Sequence, residues 1–548
     1  MMIERYAKIE RKTVFLVIIL ILSFVISFYN WYDITLGGDT SALRPVINFF
    51  KGQGFFPHQK PWSGGNILVV PFFVIMGFNI FAYRLAESFF ITLTILLFYL
   101  FVKEFYGIKT ALLCSLFLAI NPFFVLMKFD DVTFYPFFTV SILLFSYKYY
   151  KTEKIVYLSL ASLIAGYAIY FKLLILYILI SIFLSFIFVK FILIKFLKVK
   201  LKNIKITKNH IFFAVLFFLI GSSLLIIYNF ETNFSTLNDV FSNSVKTQYG
   251  YNNFEIIKNL QERLKQFMYI SSEKSAWFSI YLGGECEWCY KEGFSFNIFL
   301  FLLCIPVILW YGSQKDYFLL GMLLVFLFLS IFVPTVPHPF HLFAIFPIFI
   351  LLISRFLTLF KFKTKKAVVI IILITIFSFL NVQTTFKAVN TLKNQTWVED
   401  NLPERAMVHY EASLYLKDAP YVVMPASVPV LDDMIPLQQK GHLYSLCNVG
   451  FLENEKTLKC PEAARLIDKM LNFSETLYIF PSPLRKNFED VDNRIFLGIC
   501  HEKTNPCDIP LKILQEKSSE KNKILVLETR INDSRGYPVY DIYSVRTS

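Results

Sequence analysis

Two aspartates stand just past an apolar run. In NWYDITLGGDTSALRP (30–45), Asp33 follows the greasy stretch 13–29, and Asp39 follows a Gly-Gly turn. A carboxylate placed where a chain leaves a bilayer is level with lipid headgroups. There it can take the proton of an attacking hydroxyl that comes within hydrogen-bond reach. Asp39 is preferred for its turn context; Asp33 competes, and simple helix capping is the bland alternative for both. A second acidic site, Asp130-Asp131, sits in VLMKFDDV. Paired carboxylates offer oxygen ligands to a divalent metal, orient a polar substrate, or cap the helix that follows. Arg44, Lys60, Arg84, Lys128 and Lys172 fall in the same part of the chain. Fixed cations of this kind stabilise a departing phosphate. His338 and His341 bracket Pro339 in VPHPFH; two histidines are too few for a metal site by themselves.

The elements that must hold these groups follow from composition. Of 548 residues, 56% are hydrophobic, 17% are charged and 63 are Phe, with a mean hydropathy of +0.54. A soluble chain of this size is far less apolar, so this is a polytopic membrane protein. Runs of spanning length fall at 13–29, 80–102, 110–127, 132–149, 155–171, 172–195, 211–228, 294–311, 317–334, 340–357 and 366–382, about eleven transmembrane helices. The first run follows Arg and Lys and precedes no small-residue cleavage site, so it is expected to stay as an anchor. Alternate threading puts MMIERYAKIERK, the Lys103–Lys109 turn, KYYKTEK, KFLKVKLKNIKITKNH, GSQKD and KFKTKK on one side. The positive-inside rule assigns that side, with the N-terminus, to the cytoplasm of a plasma (inner) membrane. The formal charge of +14 is thereby a topology signal with anionic headgroups as partners, and no nucleic acid is needed to explain it.

Segments 30–65 and 229–293 and everything past about residue 383 are then extracytoplasmic. The tail carries strand-like YVVM (421–424), TLYIF (476–480), KILVL (523–527) and PVYDIYSV (538–545), with helix-like CPEAARLIDKML between them. It is expected to form a C-terminal α/β domain (383–548) beside a transmembrane domain (1–382). Cys114 and Cys304 fall within spans as ordinary buried thiols. Cys286, Cys289, Cys447, Cys460, Cys500 and Cys507 all fall outside, where disulfides are expected; a redox pair or half a zinc site is the other reading of GGECEWCYKEG.

LGGDTSALRPVINFFKGQGFF and HQKPWSGGNILVVPFFVIMGFNIFAYRLAESFF resemble the first outside segment of GT-C membrane glycosyltransferases. The likeness is to the protein-mannosyltransferase and aminoarabinose-transferase-like group. NPFFVLMKFDDVTFYPFFTVSILLFSYKYY resembles its second acidic loop, GYAIYFKLLILYILIS a helix pair holding a Lys, GSSLLIIYNFETNFS the helix end before the long outside segment, and HPFHLFAIFPIFILL a late helix. The ordered series covers roughly residues 10 to 380. Members commonly carry Asp-Glu where this chain has Asp39-Thr40.

The resemblance implies an enzyme that moves a sugar from a polyprenyl-phosphate carrier to an acceptor hydroxyl at the outer face. Asp39 matches the first-loop catalytic acid and Lys60 the Lys-Pro element that meets the donor phosphate. Lys172 joins that phosphate or snorkels; Arg44 and Arg84 join it or pair with local acids. Asp130 and Asp131 bind acceptor or metal, and His338 and His341 line the pocket. No cofactor is certain, a divalent metal is possible, and the lipid-linked sugar enters as substrate. The acceptor class stays open among lipid, glycan and protein. Interfacial helices are expected from 40–60 and 250–275, roofed by the tail. Two other classes compete: a flippase or transporter of lipid-linked saccharides, disfavoured because the spans hold almost no acid except Glu87, and a non-catalytic envelope assembly factor.

Overall fold

The structure, a computed structural model, describes residues 2–29, 46, 58–60, 63–77, 80–126, 130–197, 207–241, 255–274, 294–332, 339–359, 364–394, 411–412, 414–416, 418–424, 442–445, 448–452, 455–459, 463–473, 476–481, 509–532 and 538–547. In chain order, α1 (Met2–Tyr29) is followed by a short hairpin, β1 (His58–Lys60) and β2 (Ser63–Gly64), and by α2 (Val70–Met76). Next come α3 (Ile80–Tyr106), α4 (Ile108–Ile120), α5 (Pro122–Leu126), α6 (Tyr135–Thr152), α7 (Ile155–Phe171) and α8 (Ile175–Leu197). Then α9 (Lys208–Gly221), α10 (Ser223–Glu231), α11 (Ser235–Phe241), α12 (Ile256–Ser271), α13 (Phe296–Tyr311), α14 (Gln314–Leu329), α15 (Phe346–Leu359) and α16 (Thr364–Asn394) complete the helices before the tail.

Every apolar run read from the sequence falls on a helix. Among the described residues, five helices are long and apolar enough to cross a membrane, and six if the pair α9 and α10, bent by 60°, is one span. Some other runs are interrupted for local reasons. The run 110–127 breaks at Asn121-Pro122, because proline brings no N–H and pushes the residue before it towards extended backbone; Asn121 has ψ 119°. Between α3 and α4, Gly107 takes φ +98° and returns its N–H to Lys103 O at 3.0 Å. Glycine tolerates that backbone at a helix end.

The helices share one core of Phe, Leu and Ile in which α3, α4, α6 and α15 supply many of the wholly buried side chains. The outward faces are apolar too: Ile18 and Ile21 on α1, Ile211 and Phe212 on α9, and Val368 and Ile371 on α16 all stand exposed. Exposed apolar surface on this scale requires a hydrocarbon solvent. The chain is an integral, multi-pass membrane protein.

The tail forms β3 (Tyr421–Met424), β4 (His442–Ser445), β5 (Asn448–Leu452), β6 (Glu455–Lys459), α17 (Ala463–Met470), β7 (Thr476–Pro481), α18 (Ile509–Glu520), β8 (Lys523–Asn532) and β9 (Pro538–Thr547). The five-stranded sheet has order β4-β3-β7-β9-β8. β3 runs parallel to β4 and β7, and β9 runs antiparallel to β7 and β8. Ile467, Met470 and Leu514 from the two helices pack on Val423, Tyr478 and Phe480 in a core of their own. All four strand-like runs and the helix-like run lie on elements of the expected type. β4, the β5–β6 hairpin and α18 were not anticipated.

Cys114 and Cys304 are buried free thiols, as expected; the other six cysteines lie outside the described residues.

Candidate functional site at one end of the bundle

The QKPWSGG stretch is a tight return in which His58 pairs with Gly64 and Lys60 with Ser63. The interfacial helix expected over 40–60 does not extend to its end: 58–60 is a strand, since Pro61 drives the residue before it to extended backbone. Gly64 is seated on Tyr170, where an added Cβ would lie 2.5 Å from two ring carbons and 2.7 Å from the Tyr170 carbonyl. Gly65 donates its N–H to the Tyr170 hydroxyl at 3.1 Å, and that hydroxyl is 3.4 Å from the Gly65 carbonyl. Tyr170 is wholly buried. The two glycines thus let the hairpin backbone lie directly on the last turn of α7.

Two residues further on, Lys172 occupies the break between α7 and α8. Its backbone is extended, with φ −157° and ψ 125°. Its N–H returns to Ala168 O at 2.9 Å, and its carbonyl accepts from Ile175 N–H at 3.1 Å. Only Lys172, Leu173 and Leu174, in a tight turn, separate the two helices, and Lys172 is half-buried. The hairpin that includes Lys60 and the helix end that includes Lys172 therefore touch.

Asp130 and Asp131 open a short 3-10 helix (Asp130–Phe134) that contacts α3, α6 and a second 3-10 helix, Pro339–Ile345. His341 lies in that second helix and is buried; the helix packs against α6 and α12. α12 falls inside the expected interfacial segment 250–275. Its Arg263 is wholly buried, donating to Ser330 O at 3.0 Å and to Gln266 Oε1 at 2.8 Å. Arg84 and Glu87 on α3 are wholly buried and paired at 2.7 Å. This is the local-acid pairing, one of the two alternatives for Arg84. Asp33, Asp39, Arg44 and His338 lie outside the described residues; for Lys60, Asp130 and Asp131 only the backbone is described.

Sequence reasoning missed the groups that brace this end. Glu273 accepts from Ser295 Oγ at 2.6 Å and from the N–H groups of Phe296 and Asn297, both at 3.2 Å. It thereby caps α13 with a buried carboxylate. Asn381 on α16 exchanges amide hydrogen bonds with Asn297 at 3.1 and 3.2 Å and accepts from Asn121 at 3.0 Å. A lone Asn in an apolar run was the available signal, since such a group must find a partner inside a bilayer. Among the described residues no three His, Cys, Asp or Glu side chains come together as a metal would require.

Comparison with known proteins adds a second line. The family model for dolichyl-phosphate-mannose-protein mannosyltransferase matches residues 65–228. ArnT from Cupriavidus metallidurans, in a crystal structure bound to undecaprenyl phosphate, superposes over 97% of this chain and 97% of its own, with a TM-score of 0.55 and 10% identity. The fold is GT-C, of the ArnT type. Apo ArnT gives the same result, with a TM-score of 0.53 over 97% of this chain and 98% of its own at 10% identity. An oligosaccharyltransferase of Archaeoglobus fulgidus aligns with 79% of this chain and 64% of its own at a TM-score of 0.45 and 12% identity, too loosely to argue from. No curated protein matches the chain. The GT-C fold agrees with the ordered resemblance seen in the sequence, and it extends through the tail.

Proposed function

We propose that this chain is a glycosyltransferase that moves a sugar from a polyprenyl-phosphate donor to an acceptor hydroxyl at the outer membrane face. One coincidence carries the reading. The stretch matched by the mannosyltransferase family model, 65–228, contributes Arg84, Asp130, Asp131 and Lys172, and the elements bearing the last three and His341 gather at one end of the bundle with the Lys60 hairpin. ArnT, whose fold this chain shares, has been crystallised with undecaprenyl phosphate.

In this reading the acceptor oxygen bonds to the anomeric carbon as its proton passes to the Asp39 carboxylate. The bond from that carbon to the carrier phosphate breaks, and the phosphate oxygen keeps the electron pair. Lys60 and Lys172, with Arg44, meet the charge that develops there. Arg84, already matched by Glu87, braces the wall. Asp130 and Asp131 orient the acceptor or hold a divalent metal, for which carboxylate oxygens are the fitting donors. The outside cysteines pair as disulfides.

The test is Asp39→Asn in isolated membranes. Sugar transfer falls by about 10²–10⁴-fold, the range for loss of a general base, while expression and binding of the carrier persist. Full turnover in that variant overturns the assignment, and carrier moved between leaflets without being consumed would point to a flippase.

A further inference from the structure

A hollow of about 500 Å³ lies towards the end of the bundle opposite the Lys60 hairpin, between α3, α6, α7, α8, α9 and α14. Its residues come from the C-terminal halves of α3 and α6 and the first turns of α14. That is the end bearing Lys103, Lys148, Lys151 and Lys154, which the positive-inside rule gives to the cytoplasm. Leu143, Ala161, Leu179 and Phe218 make its walls apolar. Phe183 and Phe186, also in its lining, are 63% and 40% exposed, so it opens sideways into hydrocarbon.

Lys315 stands in this lining. Its ammonium donates to the Phe105 carbonyl and to the Tyr147 hydroxyl. It lies 5.0 Å from the Phe105 ring centre and 5.5 Å from that of Tyr147. No carboxylate pairs with it among the described residues. Its neighbour Asp316 is committed elsewhere, to Arg355 at 3.0 Å, to Tyr106 at 2.6 Å and to Ser313, and no acidic side chain among the described residues lines the hollow. A cation with one hydrogen still to donate, at a lipid-open apolar hollow, matches an amphiphile with a negatively charged head.

We propose that this hollow binds an anionic glycerophospholipid of the cytoplasmic leaflet, with an acyl chain between α6, α7 and α8 and its phosphate on Lys315. The volume falls in the usual range for one small ligand, about 300–1,000 Å³, which suits an acyl chain better than a long branched isoprenoid. A zwitterionic head would bring its own ammonium towards Lys315 and lose by repulsion.

Native mass spectrometry of the full chain, exchanged in nanodiscs of equal phosphatidylglycerol and phosphatidylethanolamine, tests this. The wild type retains phosphatidylglycerol. Lys315→Gln lowers its preference over phosphatidylethanolamine by at least about tenfold, which is the loss of roughly one charge-assisted contact, and Lys315→Arg keeps it. Ala161→Trp fills the hollow without altering Lys315 and lowers retention of both lipids. Unchanged preference in Lys315→Gln, or unchanged retention in Ala161→Trp, overturns the proposal. So does preferential retention of a polyprenyl phosphate when both are offered. The readout is bound lipid, so the outcome is independent of whether the chain transfers sugar.

Discussion

Asp316 shows how much a single side chain can carry inside the bundle. Wholly buried, it accepts from Tyr106, from Arg355 and from both the N–H and hydroxyl of Ser313, the N-cap of α14. Removing one partner of a buried ion pair strands the other, and that costs more than the pair contributes. Asp316→Ala is expected to destabilise the bundle by about 3 kcal/mol, the low end for such pairs, because Arg355 keeps 19% of its side chain exposed. Adding Arg355→Met restores part of the loss, since no unpaired cation then remains; equal stability of single and double variants in chemical unfolding would contradict this. Residues of this kind are hard to read from a chain. Lys172 was legible because two apolar runs abut it, whereas Tyr170 matters only through Gly64 and Gly65, more than a hundred residues away. Asp316 likewise depends on Tyr106 and Arg355, which sequence spacing does not connect.

Helices and strands were more legible, because the bilayer and the pleat each impose a period or a length. Apolar runs become helices since the backbone must satisfy its own hydrogen bonds in lipid, and YVVM, TLYIF, KILVL and PVYDIYSV become strands because β-branched and aromatic residues suit a half-buried sheet. His442–Ser445 has no such signal and pairs only because β3 lies beside it. How closely two helices approach is also hidden until they meet. On α7 and α9, Gly166 and Gly221 face each other's helix: a Cβ at Gly166 would strike the Phe218 carbonyl, and one at Gly221 the Leu163 carbonyl. Small residues let membrane helices approach this closely where no hydrophobic force drives them together. Gly166→Val therefore prises α7 from α9 and costs at least about 1–3 kcal/mol, the usual range for overpacking. A thermal-melt series in detergent checks it, with Ala161→Gly on the same helix as the comparison that leaves this crossing intact.

At the scale of the whole molecule, charge distribution and apolar faces give one arrangement, and the chemistry depends on its direction. Basic turns such as Glu153–Lys154, between α6 and α7, lie at one end of the bundle, and the hairpin seated on Tyr170 lies at the other, since α7 runs between them. In the orientation we propose, Lys and Arg are retained on the cytoplasmic side and the Tyr170 end faces out, together with the tail sheet that follows the last helix. The proposed reaction then needs a carrier in the outer leaflet with its phosphate near Lys60 and Lys172, and the proposed lipid site at Lys315 needs the inner leaflet. An epitope inserted after Glu153 and another after Ser548 separate the cases. In right-side-out vesicles an antibody is expected to reach the second at once and the first only after permeabilisation. The opposite pattern would put the Lys60 hairpin and the proposed base beside the cytoplasmic leaflet, where an outward-facing acceptor cannot reach them, and would give the Lys315 hollow to the outer leaflet.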